Sequence, residues 1–160
     1  MSLNSKLIVG IDPGKKGGVG IISLSFTDSP YAEVFPMPDT FTLAELLSER
    51  KGEIYRCFVE RQQVFPKQGV VSQGRLMKHY GEILGVLVAL GIPFEEVSPP
   101  KWQKEIHGAA HRKKTRKEKK KASIQKAKQL FPFLKIKNDG EAEALLIAEY
   151  GRRLLTLART

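Results

Sequence analysis

The chain has 160 residues, 41% hydrophobic and 28% charged, with a formal net charge of +10. That length suits one domain with a real core. The one extended apolar run, Ile83 to Ile92, holds Gly85 and Gly91 and stops at Pro93, which is too short to span a bilayer. The N-terminus has no basic-then-apolar segment, which predicts no export, and Met1 to Ser5 reads as a loose tail. Cys57 is the only cysteine, which excludes an intrachain disulfide and suits a reducing cytoplasm, of a bacterium or of a virus's host.

In chain order, Leu7, Ile8, Val9 and Ile11 form a β-branched run broken by Pro13-Gly14, a buried strand with Asp12 at its end. Lys15 to Gly18 is a turn, where Gly17 and Gly18 leave room for a ligand near Asp12. Val19 to Leu24 and Tyr31 to Phe35 continue an antiparallel meander. Thr42 to Arg50 has helical leucine spacing, and Ile54 to Glu60 is a fourth strand that again ends in an acid. Arg61 to Ser72 reads as a loop. Gly74 to Leu90 reads as a helix with Leu76, Tyr80, Ile83, Leu84, Leu87 and Val88 on one face, and Gly81 and Gly85 open it to a close neighbour. Phe94 to Val97 is a fifth strand, and Pro100 opens a short helix with Trp102 and Ile106 inward.

Gly108 to Lys121 has the lowest complexity. Of the 27 Lys and Arg, 14 fall between Lys101 and Lys137, against 2 of the 17 acids, so the positive field belongs to one part of the chain. Arg112 to Lys121 alone has eight bases and one acid, which predicts a mobile segment and a polyanionic partner, most simply nucleic acid. The stretch lacks the apolar face a membrane-surface helix needs. Ala122 to Phe131 and Glu141 to Leu157 read as the last two helices, the final one burying Ala144, Leu145, Ile147, Ala148, Gly151, Leu154 and Leu155. No linker divides the chain, so residues 1–160 form one domain.

Two strands end in acids, Asp12 and Glu60, and the last helix starts among Asp139, Glu141 and Glu143. Asp139 and Glu143, four apart, share a helix face, and Glu141 points elsewhere. Converging carboxylates suit Mg2+ or Mn2+, and a pair of such ions drives phosphodiester hydrolysis. Other roles stand beside this one: Asp12 can serve its own turn, Glu60 can pair with Arg61, and Asn138 with Glu141 can form a helix cap.

Ile11-Asp12-Pro13-Gly14, Val59-Glu60 and Asp139 to Ala148 resemble the acidic motifs of the RuvC family of Holliday junction resolvases, within the RNase H-like nucleases, over Leu7 to about Arg153. The resemblance implies an α/β fold, a five-stranded mixed sheet with its first three strands antiparallel, flanked by helices. It implies a homodimer that resolves four-way junctions in branched double-stranded DNA by paired nicks, with two Mg2+ ions per site, Mn2+ as a substitute and no small-molecule cofactor. Asp12, Glu60, Asp139 and Glu143 would be the metal ligands, with Glu141 an alternative to Glu143, since many relatives place their last acidic ligand at a different spacing. Lys104 and Lys121 fall where the family has lysines near the scissile phosphate. Phe65 would stack at the junction centre, two residues later than the family pattern. Lys101, Arg112, Lys113, Lys114, Arg116, Lys117, Lys119 and Lys120 would hold DNA. The Gly74 to Leu90 helix, with its broad apolar stripe, is the expected dimer face. The alternatives are a nuclease of this fold for other branched DNA or RNA/DNA hybrids, and a non-catalytic nucleic-acid-binding protein of the same fold.

Overall fold

The computed structural model describes residues 6–25 and 31–158, so the Met1 to Ser5 tail lies outside the described residues. Five strands, β1 (Leu7–Asp12), β2 (Gly18–Ser23), β3 (Ala32–Pro36), β4 (Ile54–Glu60) and β5 (Phe94–Val97), form one sheet in the order β3-β2-β1-β4-β5. The first three pair antiparallel, and β4 and β5 run parallel to β1. This is the mixed sheet that the family resemblance implies, with the antiparallel meander read from the first three strands.

Alternation along the strands sends successive residues to opposite faces. Val9, Ile11, Cys57 and Val59 go to one side, where α1 (Thr40–Arg50) and α2 (Val70–Leu90) cover them through Leu43, Leu47, Tyr80, Ile83 and Leu87. Ile8 and Phe58 go to the other, under α3 (Pro99–His107), α4 (Arg116–Leu130) and α5 (Asp139–Leu157). On that second face, Gly10 and Gly20 lie directly beneath α5. A Cβ on Gly10 would collide with the backbone of Ala144 and Ala148, and one on Gly20 would press on Leu145. The helix therefore seats backbone-to-backbone on β1 and β2.

Several boundaries differ from expectation. α2 begins at Val70 and absorbs the end of the expected loop. Its buried Gln73 ties that loop down, accepting from the Phe65 N–H and donating to the Gln68 carbonyl. Val88 lies on the outer face of α2, 67% exposed, because Tyr80, Ile83 and Leu87 already fill the inner stripe. Leu154 is likewise outward, near the exposed end of α5. The basic stretch is regular: Ala109–Lys113 forms a short 3-10 helix, and α4 starts at Arg116, six residues before Ala122. Thr115 caps α4 by accepting from the Glu118 N–H, which satisfies a terminal donor despite the like charges around it. No helix among the described residues is long and apolar enough to cross a membrane.

Candidate metal centre and cationic surface

The strand alternation that sends Ile8 and Gly10 toward α5 also sends Asp12 there. In the parallel register Gly10 lies beside Phe58 and Ile11 beside Val59, so the next pair is Asp12 beside Glu60. Both carboxylates leave adjacent strand ends on the same face. Glu143 meets them from α5, and carboxylate oxygens of Asp12, Glu60 and Glu143 lie within 4.8 Å of one another.

α5 is held over this point by its start. Asn138 accepts from the Glu141 N–H at 2.9 Å, and the buried Glu141 carboxylate accepts from the Lys137 N–H at 2.7 Å. Glu141 therefore works in the helix cap and is not among the three converging acids. Gly140 sits against the carbonyls of Lys16 and Gly17, and Gly18 against Gly140 and Glu141. The space at Gly18, expected to admit a ligand, is filled by the first turn of α5. The glycine that needs left-handed backbone in this turn is Gly14, at φ 116°.

Asp139, one turn before Glu143, stands at the edge of the group and pairs with Lys120 on α4 at 3.4 Å. Lys121, the next residue, projects about 100° further round the helix and is exposed. Behind the cluster, the fully buried Trp102 donates its indole N–H to Glu60 Oε2 at 2.7 Å, and Gln62 donates to the Glu60 carbonyl at 3.2 Å. The Trp102–Glu60 bond joins residues 42 apart in sequence, and nothing in the sequence signals it.

Three carboxyls this close cannot all ionise freely. Burial, then repulsion from Glu60, Glu143 and Asp139, pushes Asp12 well above the ordinary carboxylate range. Burial raises Glu60, against the hydrogen bonds that hold it down. Burial, with Glu60 and Asp139, pushes Glu143 up to about 7, while Asp12 and Lys120 pull the other way. A divalent cation would relieve this repulsion, and the hard oxygen donors fit such an ion. The cluster is thus compatible with metal binding.

The other expected contact residues are mostly at the surface. Lys101, Lys104, Arg112, Lys113, Arg116 and Lys117 are exposed on α3, the 3-10 helix and α4, as is Lys114 between the last two, with Lys119 half-buried on α4. Lys104 lines a cavity with His111 and Lys119 whose lining includes none of the three carboxylates. Phe65 has its ring 52% exposed while its backbone is anchored to Gln73.

No protein-family model and no curated protein matches the sequence. Among solved structures, the chain is similar to Thermus thermophilus RuvC, with TM-score 0.68, 16% identity, and 95% of this chain and 96% of that one covered. It is also similar to T. thermophilus RuvC in complex with a Holliday junction substrate, with TM-score 0.65, 17% identity and 96% of each chain covered. Fowlpox virus resolvase, in a complex with Holliday junction DNA, aligns with TM-score 0.51 and 15% identity over 92% of this chain and 99% of that one. At these identities the likeness establishes the fold, which is that of the RuvC-like resolvases.

Proposed function

We propose that this chain is a magnesium-dependent endonuclease that resolves four-way DNA junctions by paired symmetric nicks. The observation that carries the reading is the meeting of Asp12, Glu60 and Glu143 within 4.8 Å beside a strongly basic surface. Asp12, Glu60 and Glu143, with Asp139 at the rim, would hold two Mg2+ ions, for which Mn2+ would substitute. Bound there, the ions supply an activated water and positive charge for the departing oxygen.

The chain's own groups do the rest. Trp102 fixes the Glu60 carboxylate, and Lys120 steadies Asp139 from across the site. Lys104 and Lys121 would serve as further cations for the DNA phosphates near the cut. Lys101, Arg112, Lys113, Lys114, Arg116, Lys117 and Lys119 grip the backbone without reading bases, so binding should weaken steeply with salt. The exposed Phe65 would stack on a base at the branch. Paired nicks need two sites, and we assign a homodimer through the outer face of α2. The expected reason for that face does not hold, since its broad apolar stripe is spent on the chain's own core. The opposite face remains, where Val71 and Val88 are exposed and a Cβ on Gly74, Gly81 or Gly85 would meet nothing within 4 Å.

The test is incubation with a synthetic four-way junction, a fork, and an RNA/DNA hybrid, with and without Mg2+. The expected result is symmetric nicking of the junction, lost in Asp12→Asn and Glu60→Gln while both variants still bind it. Preferential cutting of the fork or hybrid would reassign the substrate, and binding with no cutting would leave a DNA-binding protein. Light scattering checks the dimer: Gly81→Glu should give a monomer and unpaired nicks.

A further inference from the structure

Between α3, the 3-10 helix and the start of α4 lies a cavity of about 510 Å³. That is within the usual range for a small-molecule site. Its lining carries four cations, Lys104, Arg112, Lys113 and Lys119. Pro100, Ala109 and Ala110, exposed on the same lining, present carbon. Such a lining suits a flat apolar group attached to anions.

The wall includes His111, 2% exposed, whose ring stacks on His107 with centroids 4.0 Å apart and planes 9° apart. Both His111 ring nitrogens are buried without a hydrogen-bond partner. Buried polar atoms are nearly always hydrogen-bonded, so two unpartnered ring nitrogens on a cavity wall mark a place that can take a polar partner. The cavity and the carboxylate cluster draw on the same two helices, α3 and α4. Gln103 and Lys104 on its lining directly follow Trp102, which holds Glu60, and Lys119 directly precedes Lys120, which pairs with Asp139.

We infer that this cavity receives one nucleotide extruded from the DNA beside the cut, its base on Pro100, Ala109 and Ala110 and its phosphates among Lys104, Arg112, Lys113 and Lys119. The inference rests on the nuclease reading for its choice of ligand. A nucleotide at a branch point has lost a stacking neighbour, so removing it from the helix costs less than in continuous duplex. The cavity would fix which phosphate lies over the carboxylates, and would let a fold that grips backbone charge acquire a preference at one position.

The experiment uses the full chain with Asp12→Asn, to keep the DNA whole, and junctions carrying 2-aminopurine at each nucleotide flanking the branch. At one position fluorescence should rise several-fold on binding. Ala110→Trp, which fills the cavity, should abolish the rise and weaken junction binding about tenfold, the usual scale for losing one stacked base. Ala109→Leu should do so in part, and circular dichroism reports whether either variant has misfolded. In the protein with alanine at both positions, DNA should shift the His111 ring resonances. No brightening at any position, or brightening that survives both fillings, overturns the cavity assignment. The nuclease reading is scored separately with Mg2+ and the wild-type chain: nicks without brightening sink the cavity alone, and brightening without nicks sinks the nuclease alone. If no junction binds, a single-stranded trinucleotide with central 2-aminopurine is the probe, and an unmoved His111 ring overturns the inference.

Discussion

The indole N–H of Trp102 donates to Glu60 Oε2 at 2.7 Å, tying α3 to the end of β4 at the point where three acids meet. The bond lowers the proton affinity of Glu60 while burial raises it, so Trp102 helps keep that carboxylate ionised. Trp102→Phe keeps most of the ring and removes the donor. A hydrogen bond to a charged group contributes about 1.5–3 kcal/mol. The expected outcome is a rise of about tenfold or more in the Mg2+ needed for half-maximal cutting, and an activity profile displaced to higher pH. A fall in melting temperature with an unchanged magnesium requirement would show that Trp102 only packs.

Lys120 and Lys121 are adjacent, yet only Lys120 is seen against the acids, 3.4 Å from Asp139. Lys120 also pulls the Glu143 proton affinity down. The pair is well exposed, so its loss should hardly move stability. Lys120→Met should slow cutting at saturating DNA by about tenfold, near 1.4 kcal/mol of barrier, with an unchanged melting temperature. Lys121→Met should leave that rate alone and reduce the salt dependence of binding by about one phosphate contact. Single-turnover rates and salt titrations of both variants separate the roles.

Much of the site is legible because strands alternate. Ile8, Gly10 and Asp12 share a face, as do Phe58 and Glu60, and Asp139 and Glu143 share a helix face four residues apart. What the sequence hides depends on register or on helix phase. The Trp102–Glu60 bond spans two elements whose contact no local pattern announces. The choice between Lys120 and Lys121 depends on how α4 lies against α5, and a helix expected only from Ala122 puts neither lysine on it. The start at Arg116 does carry a local signal, since Thr115 and Glu118 have the spacing of a capping box. The start of α2 carried no such signal, because Gly69 offers no side-chain cap. The sequence suggested Gly18 as ligand room, whereas packing of α5 on β1 and β2 turned it into a contact point.

The three acids also give the metal-free protein an inverted response to pH. Glu143 is raised to about 7 from its ordinary 4.5, and Asp12 is raised as well, so the folded chain holds protons that the unfolded chain has released. Stability must then fall as pH rises from about 4.5 toward 7 and beyond. His107 opposes this at lower pH. Burial lowers it to about 4, so its contribution falls as pH drops below 6.5. The clean window is therefore pH 6.5 to 8. There, without metal, the melting temperature should decline with pH, the Glu143 part being below about 1 kcal/mol after allowance for its partial exposure. Mg2+ competes with those protons, so added magnesium should stabilise more at pH 8 than at pH 6.5 and cancel the decline. A metal-free melting temperature that rises through this window would contradict the clustered carboxylates.

Gly140 sets the distance between α5 and the β1–β2 turn, and with it the distance between Glu143 and Asp12. A Cβ at Gly140 would overlap the carbonyl oxygens of Lys16 and Gly17. Both obstacles are backbone, so neither can rotate away, and the helix start must lift. Gly140→Ala should therefore cost about 1–3 kcal/mol, the usual scale of overpacking. It should cost the metal response more than the fold, because the core beneath the later turns of α5, at Leu145, Leu146 and Ala148, is untouched. The variant should melt as a folded protein at lower temperature, with its Mg2+-dependent stabilisation largely gone. Gly52→Ala is the control, since nothing lies within 4 Å of a Cβ there and its effect should stay within about 1 kcal/mol. If Gly140→Ala keeps the full magnesium response, the close seating of α5 on the turn is not what brings Glu143 to Asp12.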